Sequence, residues 1–402
     1  YVTTYSQYLS LFGDIFKSGS YYYEYFTSQA AKEYFQNGGQ SLLVTRIISG
    51  SSNASTYATA NVTSGSATSF SLEALSWGLQ LNNTSSMSGG ALDSGSIYNV
   101  RYEVANVNTG SGTFTINIRR GDDNENSKNI LETWANVSLP NYISRVIGDL
   151  KPVYTAATGT STAYINYTGT YPNASQYVRV SAITTPNVDS IDNNGNYKST
   201  LYKSTLPTVG SGSYGGSFSG GVADTNATKL MNENITATNI QGFGTVDYNL
   251  AFSLLSNQDE FQYNMLLAPG VGLDCASVSN MISVAEGRGD AIAIVDNGVY
   301  GTAIAQATTN ASGQSSNYAA TYYPWVQLQS SGLGKVIWCP PSTVIGGVLA
   351  FNDRVGAEWF APAGLNRGGI PSVVRAERKL QQTDRDTLYS GNVNPLATFP
   401  GT

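Results

Sequence analysis

Histidine is absent from the sequence, and cysteine occurs only twice. Without histidine, the chain can form no Ser–His or Cys–His nucleophilic dyad and no metal site with a histidine ligand. Cys275 and Cys339 lie far apart and lack the close spacing of a zinc or redox motif, so we interpret both as small buried apolar residues. We place Cys275 in a helix and Cys339 at the end of a strand.

Charged residues are also scarce, at 12% of the 402 residues with a formal net charge of −6. The chain has no Lys/Arg run of the kind that binds nucleic acid, and its apolar runs fall short of the ~18 residues that a membrane helix needs. We therefore expect neither nucleic acid nor a membrane as a partner. Gly, Ser, Thr, Asn and Tyr are abundant instead, which favours a β-rich protein with large protein-contacting surfaces.

The sequence begins at Tyr1 without a methionine or a signal-peptide pattern, and we expect it to be a fragment of a longer protein. Asn-x-Ser/Thr sequons, such as those at Asn53 and Asn166, are numerous. Because the chain is rich in these residue types, we attribute the sequons to composition and not to glycosylation.

Residues 1–49 have the pattern of half an α/β layer. Apolar spacing over 5–12 predicts a helix that ends at Gly13, and the spacing over 22–35 predicts a second helix, which the Asn-Gly-Gly at 37–39 terminates. The apolar run 41–48 predicts a strand that is covered on both faces.

Residues 50–223 predict a β-rich region that is inserted into the α/β core and faces outward, as one or two subdomains. We expect a loop or crossing segment up to about residue 69, and a short helical or edge element over 141–150. A polar, glycine-rich stretch at about 186–222 predicts a mobile loop. Strands are expected over 96–106, 112–122 and 177–183; in the second, Phe114, Ile116 and Ile118 face one side and Thr115, Asn117 and Arg119 the other.

Residues 224–402 return to an α/β pattern, which makes the chain a multidomain α+β or α/β protein with a split core. The predicted helices cover 246–256, 274–289 with Asp274 as N-cap, about 342–356, and 373–391 ending at Gly391. The predicted strands cover 263–270 and 291–296, followed by a hairpin within 322–339.

The stretch "APAGLNRGG" at 361–369 superficially resembles a phosphate-binding loop. A P-loop requires Lys and Ser/Thr where this chain has Gly369 and Ile370, so nothing would contact a phosphate or hold Mg²⁺. We interpret the stretch as a rigid structural corner, in which Arg367 is a candidate partner for a carboxylate. No cofactor is expected.

Carboxylates offer the remaining route to catalysis, and the candidates near predicted element ends are Asp290, Asp296, Asp353 and Glu358. Helix capping, turns and pairing with neighbouring arginines explain them equally well, so we expect no enzyme. Asp122-Asp123 and the turn beginning at Asp192 lack the register of an EF-hand and are read as turns.

Three aromatic–proline clusters are prominent: "YYPW" at 322–325, "WCPPS" at 338–342 and "WFAPAG" at 359–364. Their rings could anchor a core, and Trp and Tyr are also the residues expected at binding hot spots. The sequence leaves both interpretations open.

Several of these stretches, including "CPPSTVIGGVLAFNDRVGAEWFAPAGLNRGGI" and "RDTLYSGNVNPLATFPG", resemble the core of contractile tail sheath proteins of myovirus-type phages and related injection systems. The resemblance covers residues 1–49 and about 225–402 and is weak between them. The positions that match its motifs are Asn37, Gly38, Gly39, Arg46, Arg288, Asp290, Pro324, Trp325, Pro340, Pro341, Asp353, Trp359, Pro362, Gly364, Asn366, Arg367 and Gly368.

The resemblance implies a structural subunit that polymerises helically around a tail tube and contracts to drive the tube through a bacterial envelope. Its implied partners are further copies of itself, the tube and the baseplate, in a virion tail assembled in the host cytoplasm. Sheath subunits carry an N-terminal arm and a further C-terminal domain that this sequence lacks, so we expect the fragment itself to be monomeric.

Three alternatives remain, of which the third, a carboxylate-only hydrolase, would require two acidic side chains to converge in one pocket. One is the sheath of an extracellular injection system or of a type VI secretion system. Another is a β-rich receptor- or glycan-binding adhesin, which would not explain the α/β segments on either side of the β-rich region.

Overall fold

The computed structural model describes residues 1–18, 21–47, 56–65, 67–139, 141–158, 161–184, 192–196, 206–222, 245–357 and 359–399. The chain divides into two compact units. Unit 1 comprises Tyr1–Ser49, Ala156–Tyr164 and Thr225–Thr402, and unit 2 comprises Gly50–Thr155 and Ile165–Asp224. The fold is mixed α/β with several separate sheets, in agreement with the sequence-based expectation.

The helices in the described part of the chain are α1 (Tyr5–Phe12), α2 (Phe26–Gln36), α3 (Asn141–Ile147), α4 (Thr245–Leu255), α5 (Ser277–Arg288), α6 (Ile304–Ser312), α7 (Ser342–Val355), α8 (Gly364–Arg367) and α9 (Gln382–Ser390). The strands there are β1 (Ile15–Ser18), β2 (Tyr21–Glu24), β3 (Thr59–Ser64), β4 (Ala67–Ala74), β5 (Met87–Ser88), β6 (Ala91–Leu92), β7 (Val100–Asn108), β8 (Thr113–Arg120), β9 (Ile130–Ser138), β10 (Lys151–Thr155), β11 (Tyr164–Thr168), β12 (Val178–Ile183), β13 (Met265–Gly272), β14 (Ile292–Asp296), β15 (Ala319–Tyr323), β16 (Val326–Ser330), β17 (Lys335–Cys339), β18 (Val373–Ala376) and β19 (Asn394–Pro395).

Unit 1 is built on a parallel sheet in the order β13-β14-β15-β19, with an antiparallel sheet β17-β16-β18 beside it in the chain. Its strands are short and apolar, as expected for parallel strands with covered faces. Helices α2 and α7 approach closely because Gly347 has no side chain: a Cβ there would lie 2.8 Å from the Glu33 carbonyl oxygen. The core that results joins Phe26, Val278, Val344 and Trp325.

Unit 2 contains two three-stranded antiparallel sheets, β12-β4-β3 and β7-β8-β9, and the short helix α3. Phe70 of β4 stacks on Phe114 of β8 with ring centroids 5.7 Å apart, so the apolar faces of the two sheets share one core. The predicted alternation in β8 is confirmed for Phe114, Ile116 and Ile118, which are fully buried. The other face of β8 is buried as well, because the strand is central.

That second face carries a buried ion-pair network. The register of β7 and β8 places Arg101 directly opposite Arg119, an unfavourable pairing of like charges. Asp123 resolves it: its two carboxylate oxygens accept hydrogen bonds of 2.8 Å from the Arg119 Nε and Nη2, and one of them accepts a bond of 3.4 Å from Arg101. Glu125 accepts from both arginines. Both arginine side chains are fully buried, so the network must remain complete.

The apolar run at 41–48 does not form the predicted strand. Over its described part, residues 41–47, Leu42 makes a single antiparallel bridge with Val2 and no ladder follows. Leu42 packs against the small cluster around Tyr8, whereas Leu43 and Ile47 pack against the main core of unit 1. Both sides of the segment are covered, which makes the run continuously apolar without making it part of a sheet.

Four other predicted boundaries of helices, strands and loops were also wrong. The segment expected to be a loop up to residue 69 contains β3, where small buried residues alternate with polar ones. The second helix begins at Phe26, after strand β2. The charged helix expected over 373–391 is a strand followed by α9, although Gly391 ends it as predicted. The helix expected from Asp274 begins at Ser277, so Cys275 lies in the preceding turn; it is buried, as is Cys339 at the end of β17.

Within the stretch predicted as a mobile loop at about 186–222, residues 206–222 are packed against the rest of unit 2. This segment bridges to Thr56, Thr59 and Val104, and its Phe218 is completely buried. Residues 192–196 form a turn in which Asp192 Oδ1 accepts from two backbone N–H groups. Residues 186–191 and 197–205 lie outside the described residues.

We predict that Asp123→Asn will lower the free energy of unfolding of unit 2 by about 3–5 kcal/mol, because it removes the buried carboxylate that both guanidinium groups share and leaves them only more exposed partners such as Glu125. The matched control is Asp122→Asn, which removes the partner of the partly exposed Arg120 and should cost under about 1 kcal/mol. Denaturant unfolding, combined with hydrogen exchange of the β7 and β8 amides, measures both. Equal losses in the two variants would contradict the network's role.

Candidate functional site

A buried carboxylate, Asp296, joins two strands and a helix of unit 1. Asp296 ends β14 and is 1% exposed. Its Oδ2 accepts from the Gly270 N–H of β13 at 2.9 Å and from the Ser342 hydroxyl at 2.8 Å, and its Oδ1 accepts from the Ser342 N–H at 2.9 Å. Ser342 is the first residue of α7, so the carboxylate lies against the positive end of that helix. We name Asp296, Gly270 and Ser342 the Asp296 junction.

Burial and hydrogen bonding shift the pKa of Asp296 in opposite directions. Burial raises the pKa of Asp296 to about 6, from its ordinary value of 3.8, and the three donated hydrogen bonds act in the opposite direction. Among the residues that the structure describes, no arginine or lysine forms an ion pair with it; the Asp274 carboxyl is a further cause that raises its pKa. Such a perturbed acid is a candidate functional group, but here every contact is with the protein's own donors.

The junction lies at the carboxyl end of the parallel strands, where open α/β sheets bind their ligands. In nucleotide-binding folds a phosphate accepts hydrogen bonds from the N–H groups at a helix N-terminus. In this chain the Asp296 carboxylate accepts such a hydrogen bond, from the Ser342 N–H. The sequence indicated Asp296 as a candidate, but it missed Gly270 and Ser342; a serine directly after Pro340-Pro341 at the start of a small-residue helix was the available signal.

Arg288 and Asp290 form a second polar node at the end of α5. The Arg288 Nε and Nη2 donate to Asp290 at 2.9 and 3.0 Å, and its Nη1 and Nη2 donate to the carbonyl groups of Leu255 and Phe261 at 3.0 Å. The guanidinium also stacks over Tyr263, 4.0 Å from the ring centroid. Arg288 therefore fixes the end of α4 to α5, which is the structural use expected for it.

The first two aromatic–proline clusters belong to the core. Trp325 is buried, donates its Nε1–H to the Gly298 carbonyl at 2.8 Å and meets Phe26 edge-to-face at 5.8 Å. Pro324 is buried beside it. The carbonyl groups of Pro340 and Pro341, also buried, accept from the first residues of α7, so this cluster sets the start of that helix.

The Asn-Gly-Gly segment ends α2 and fits closely against α7. Asn37 is the C-cap, and its side chain donates to the Glu33 carbonyl at 2.8 Å. Gly38 has φ +108°, and a Cβ there would lie 2.7 Å from Arg354 Cδ. Gly39 lies against the Tyr34 ring. Arg46 is exposed and interacts electrostatically with Tyr25.

The third cluster lies at the surface. Trp359 is 83% exposed, Leu365 65% and Phe360 45%, which is unusual for three large apolar side chains so close in sequence. Pro362 and the one-turn helix α8 shape the segment, in which Gly364 has φ +76° and Gly368 N–H donates to the Gly364 carbonyl at 2.8 Å. We name residues 359–368 the surface segment.

Arg367 and Asn366 have different environments within the surface segment. The Arg367 guanidinium stacks over Phe360, 4.7 Å from the ring centroid, while Asn366 is exposed. Among the described residues, Arg367 has no carboxylate within ion-pair distance, and Glu358 lies outside them. The segment is anchored at Asn352, whose side-chain amide donates to the Phe360 carbonyl at 2.9 Å, next to the exposed Asp353.

The candidate carboxylates do not converge. Asp290 and Asp296 flank the same strand at opposite ends, roughly 20 Å apart at about 3.3 Å per residue. Asp353 is exposed on the last turn of α7. Within the described ranges, no group of three or more Asp, Glu or Cys side chains could hold a metal ion, and no helix is long and apolar enough to cross a membrane.

We predict that the stability advantage of the native chain over Asp296→Asn will shrink as pH rises from about 4 to 7.5. A carboxyl whose pKa is higher in the folded state stabilises the fold when protonated, and this contribution is lost as pH rises through about 6. The full change is about 3 kcal/mol, at about 1.36 kcal/mol per pKa unit.

Denaturant unfolding of both proteins across this pH range gives the difference, from which other carboxyls cancel. A constant difference for Asp296→Asn would mean that the three donors keep the carboxylate ionised throughout.

The comparisons with known proteins match the part of the chain that contains this site. Residues 241–402 match the family model described as the phage tail sheath protein central domain. The tail sheath protein of Vibrio phage KVP40 is 26% identical over 185 residues, which cover 39% of this chain and 28% of that protein. The tail sheath protein of Enterobacteria phage T4 is 38% identical over 64 residues, covering 16% and 10%. The chain thus spans less than a third of the length of these relatives.

Solved structures of sheath proteins are also similar. The sheath tail protein from Desulfitobacterium hafniense aligns with a TM-score of 0.41 and 11% identity, covering 93% of this chain and 60% of that one. The sheath complex of an extracellular contractile injection system in its contracted state aligns with a TM-score of 0.31 and 19% identity, covering 39% and 46%.

The matched residues 241–402 include the Asp296 junction, the Arg288–Asp290 node, Trp325 and the surface segment. The resemblance inferred from the sequence is therefore confirmed over this region. Over residues 241–402, the chain is thus similar to the central domain of phage tail sheath proteins.

Proposed function

We propose that this chain is the body of a contractile sheath subunit, which polymerises helically around a tail tube and shortens to drive the tube through a bacterial envelope. The observation that carries the proposal is the match of residues 241–402 to the sheath central domain. Its partners would be further copies of itself, the tube and the baseplate, within a virion tail assembled in the host cytoplasm.

A contractile subunit must transmit force as a nearly rigid body while the contacts between subunits rearrange. Unit 1 has features that suit this role. The Asp296 junction ties β13 and β14 to α7, Arg288 ties α4 to α5, and Trp325 ties the antiparallel sheet to the loop after β14. All three lie inside one core and leave little freedom for internal motion.

The surface segment is the best candidate in unit 1 for a contact between subunits. It presents Trp359, Phe360 and Leu365 to solvent, and tryptophan is strongly enriched at the centres of protein interfaces. Because a side chain that is 83% exposed contributes little to folding, its exposure fits a contact made only in the assembly.

We predict that the complete gene product will form striated tubes in negative-stain electron microscopy and that Trp359→Ala will abolish or greatly shorten them. The loss of one hot-spot tryptophan costs roughly 2 kcal/mol or more per contact, which a repeating polymer multiplies. The folding stability of the variant should stay within about 0.5 kcal/mol of the native chain.

The matched control is Tyr389→Ala, which removes another highly exposed aromatic side chain from outside the surface segment. It should assemble normally. A native protein that stays monomeric at high concentration and high salt would contradict the sheath proposal. Normal tubes from Trp359→Ala would instead remove the surface segment from the interface.

We further propose that unit 2 lies on the outer surface of the sheath. Unit 2 has its own hydrophobic core and its own ion-pair network, so it does not need contacts with other subunits to be folded. The proposal predicts that a biotin-acceptor peptide inserted between Thr109 and Gly110, in the exposed β7–β8 turn outside the ion-pair network, will bind streptavidin on assembled tubes. Full labelling of dissociated subunits with no labelling of intact tubes would place the turn inside the assembly.

A further inference from the structure

Unit 2 contains a polar cleft that the sheath function does not use. It has a volume of about 460 Å³, within the roughly 300–1,000 Å³ of small-ligand sites. Helix α3, strand β12, the β10–β11 pair and Glu73 of β4 line it. Polar side chains dominate its walls, with Val180, Ala182 and Ile183 as the apolar part.

The base of the cleft is rigid and its charges cancel. Glu73 accepts from the Arg179 Nε and Nη2 at 2.9 and 2.7 Å, and from the Lys151 Nζ at 3.3 Å. Asp149 is the second carboxylate. Two cations face two anions, so the cleft has no net charge with which to select an anionic or a cationic ligand.

Several hydrogen-bonding groups of the wall remain unused within the described structure. Asp149 Oδ1 accepts from the N–H groups of Thr170 and Tyr171 at 2.7 Å each, which fixes the carboxylate and leaves Oδ2 for a ligand. The Asn141 carboxamide is exposed and has no protein partner among the described residues. Lys151 keeps 41% of its side chain exposed. The wall therefore offers both donors and acceptors, held in place by bonds made behind them.

We propose that this cleft binds a neutral oligosaccharide. Hydroxyl groups of a sugar both donate and accept, which matches a wall with fixed acceptors, an amide and an ammonium group but no net charge. The exposed Ala182 of β12 would contact a C–H face of the sugar ring. The site is independent of polymerisation, so it adds a surface-glycan contact to the protein whether or not the sheath proposal holds.

The test is binding of the purified chain to an array of neutral and acidic glycans, followed by calorimetry with the strongest neutral oligosaccharide. Asn141→Ala removes the free carboxamide. Asp149→Asn retains the turn-forming Oδ1 and replaces the acceptor Oδ2 with a donor. Each should weaken binding about fivefold to tenfold, the loss expected for one hydrogen bond.

The matched control is Asn126→Ala, an exposed asparagine of unit 2 that does not line the cleft, and it should bind like the native chain. Ala182→Phe fills the cleft from β12 and should abolish binding. The proposal is overturned if no neutral glycan binds, if acidic glycans bind in preference, or if neutral binding survives all three cleft substitutions. Circular dichroism of each variant distinguishes a lost site from a lost fold.

Discussion

The burial of Asp296 is the constraint on which the architecture of unit 1 depends. A carboxylate inside a protein must be hydrogen-bonded, and the Gly270 N–H and the amide and hydroxyl of Ser342 satisfy it here. Meeting that requirement holds β13, the last residue of β14 and the first residue of α7 together. Gly347 then allows α7 to approach α2 closely.

Buried carboxyl groups have hydroxyl partners in unit 1 and basic partners in unit 2. In unit 1, Glu24 and Glu33 are satisfied by the hydroxyl groups of Ser330 and Ser372, and burial raises the pKa of both carboxyls. In unit 2, Arg119 and Lys128 hold the pKa of Glu125 below its usual value, against the effect of burial. A raised carboxyl pKa contributes stability that is lost as pH rises, whereas a lowered pKa contributes stability that is lost as pH falls. These carboxyls therefore contribute to the pH dependence of the two units with opposite signs.

Local patterns allowed much of this fold to be predicted. Helix α1 with its Gly13 end, strand β8 and strand β14 follow from apolar period and capping, which depend on near neighbours alone. The errors arose where contacts between residues far apart in sequence decide the local structure. The 41–48 run packs against two separate clusters, and Trp325 and Trp359 stand in similar aromatic–proline contexts although one is buried and the other exposed. No local pattern distinguishes a core ring from a surface ring.

The position of the Asp296 junction also bears on function. The crevice at the carboxyl ends of parallel strands is where related architectures place a phosphate against a helix N-terminus. Here a side chain of the protein occupies that position permanently, so the donors are already satisfied and cannot signal the arrival of a ligand. In such a site the donors at the helix N-terminus hold the protein's own carboxylate instead of an exchangeable ligand. A fixed connection of this kind suits the rigid sheath subunit that we propose, and it leaves exchangeable contacts to the surface segment of unit 1 and the polar cleft of unit 2.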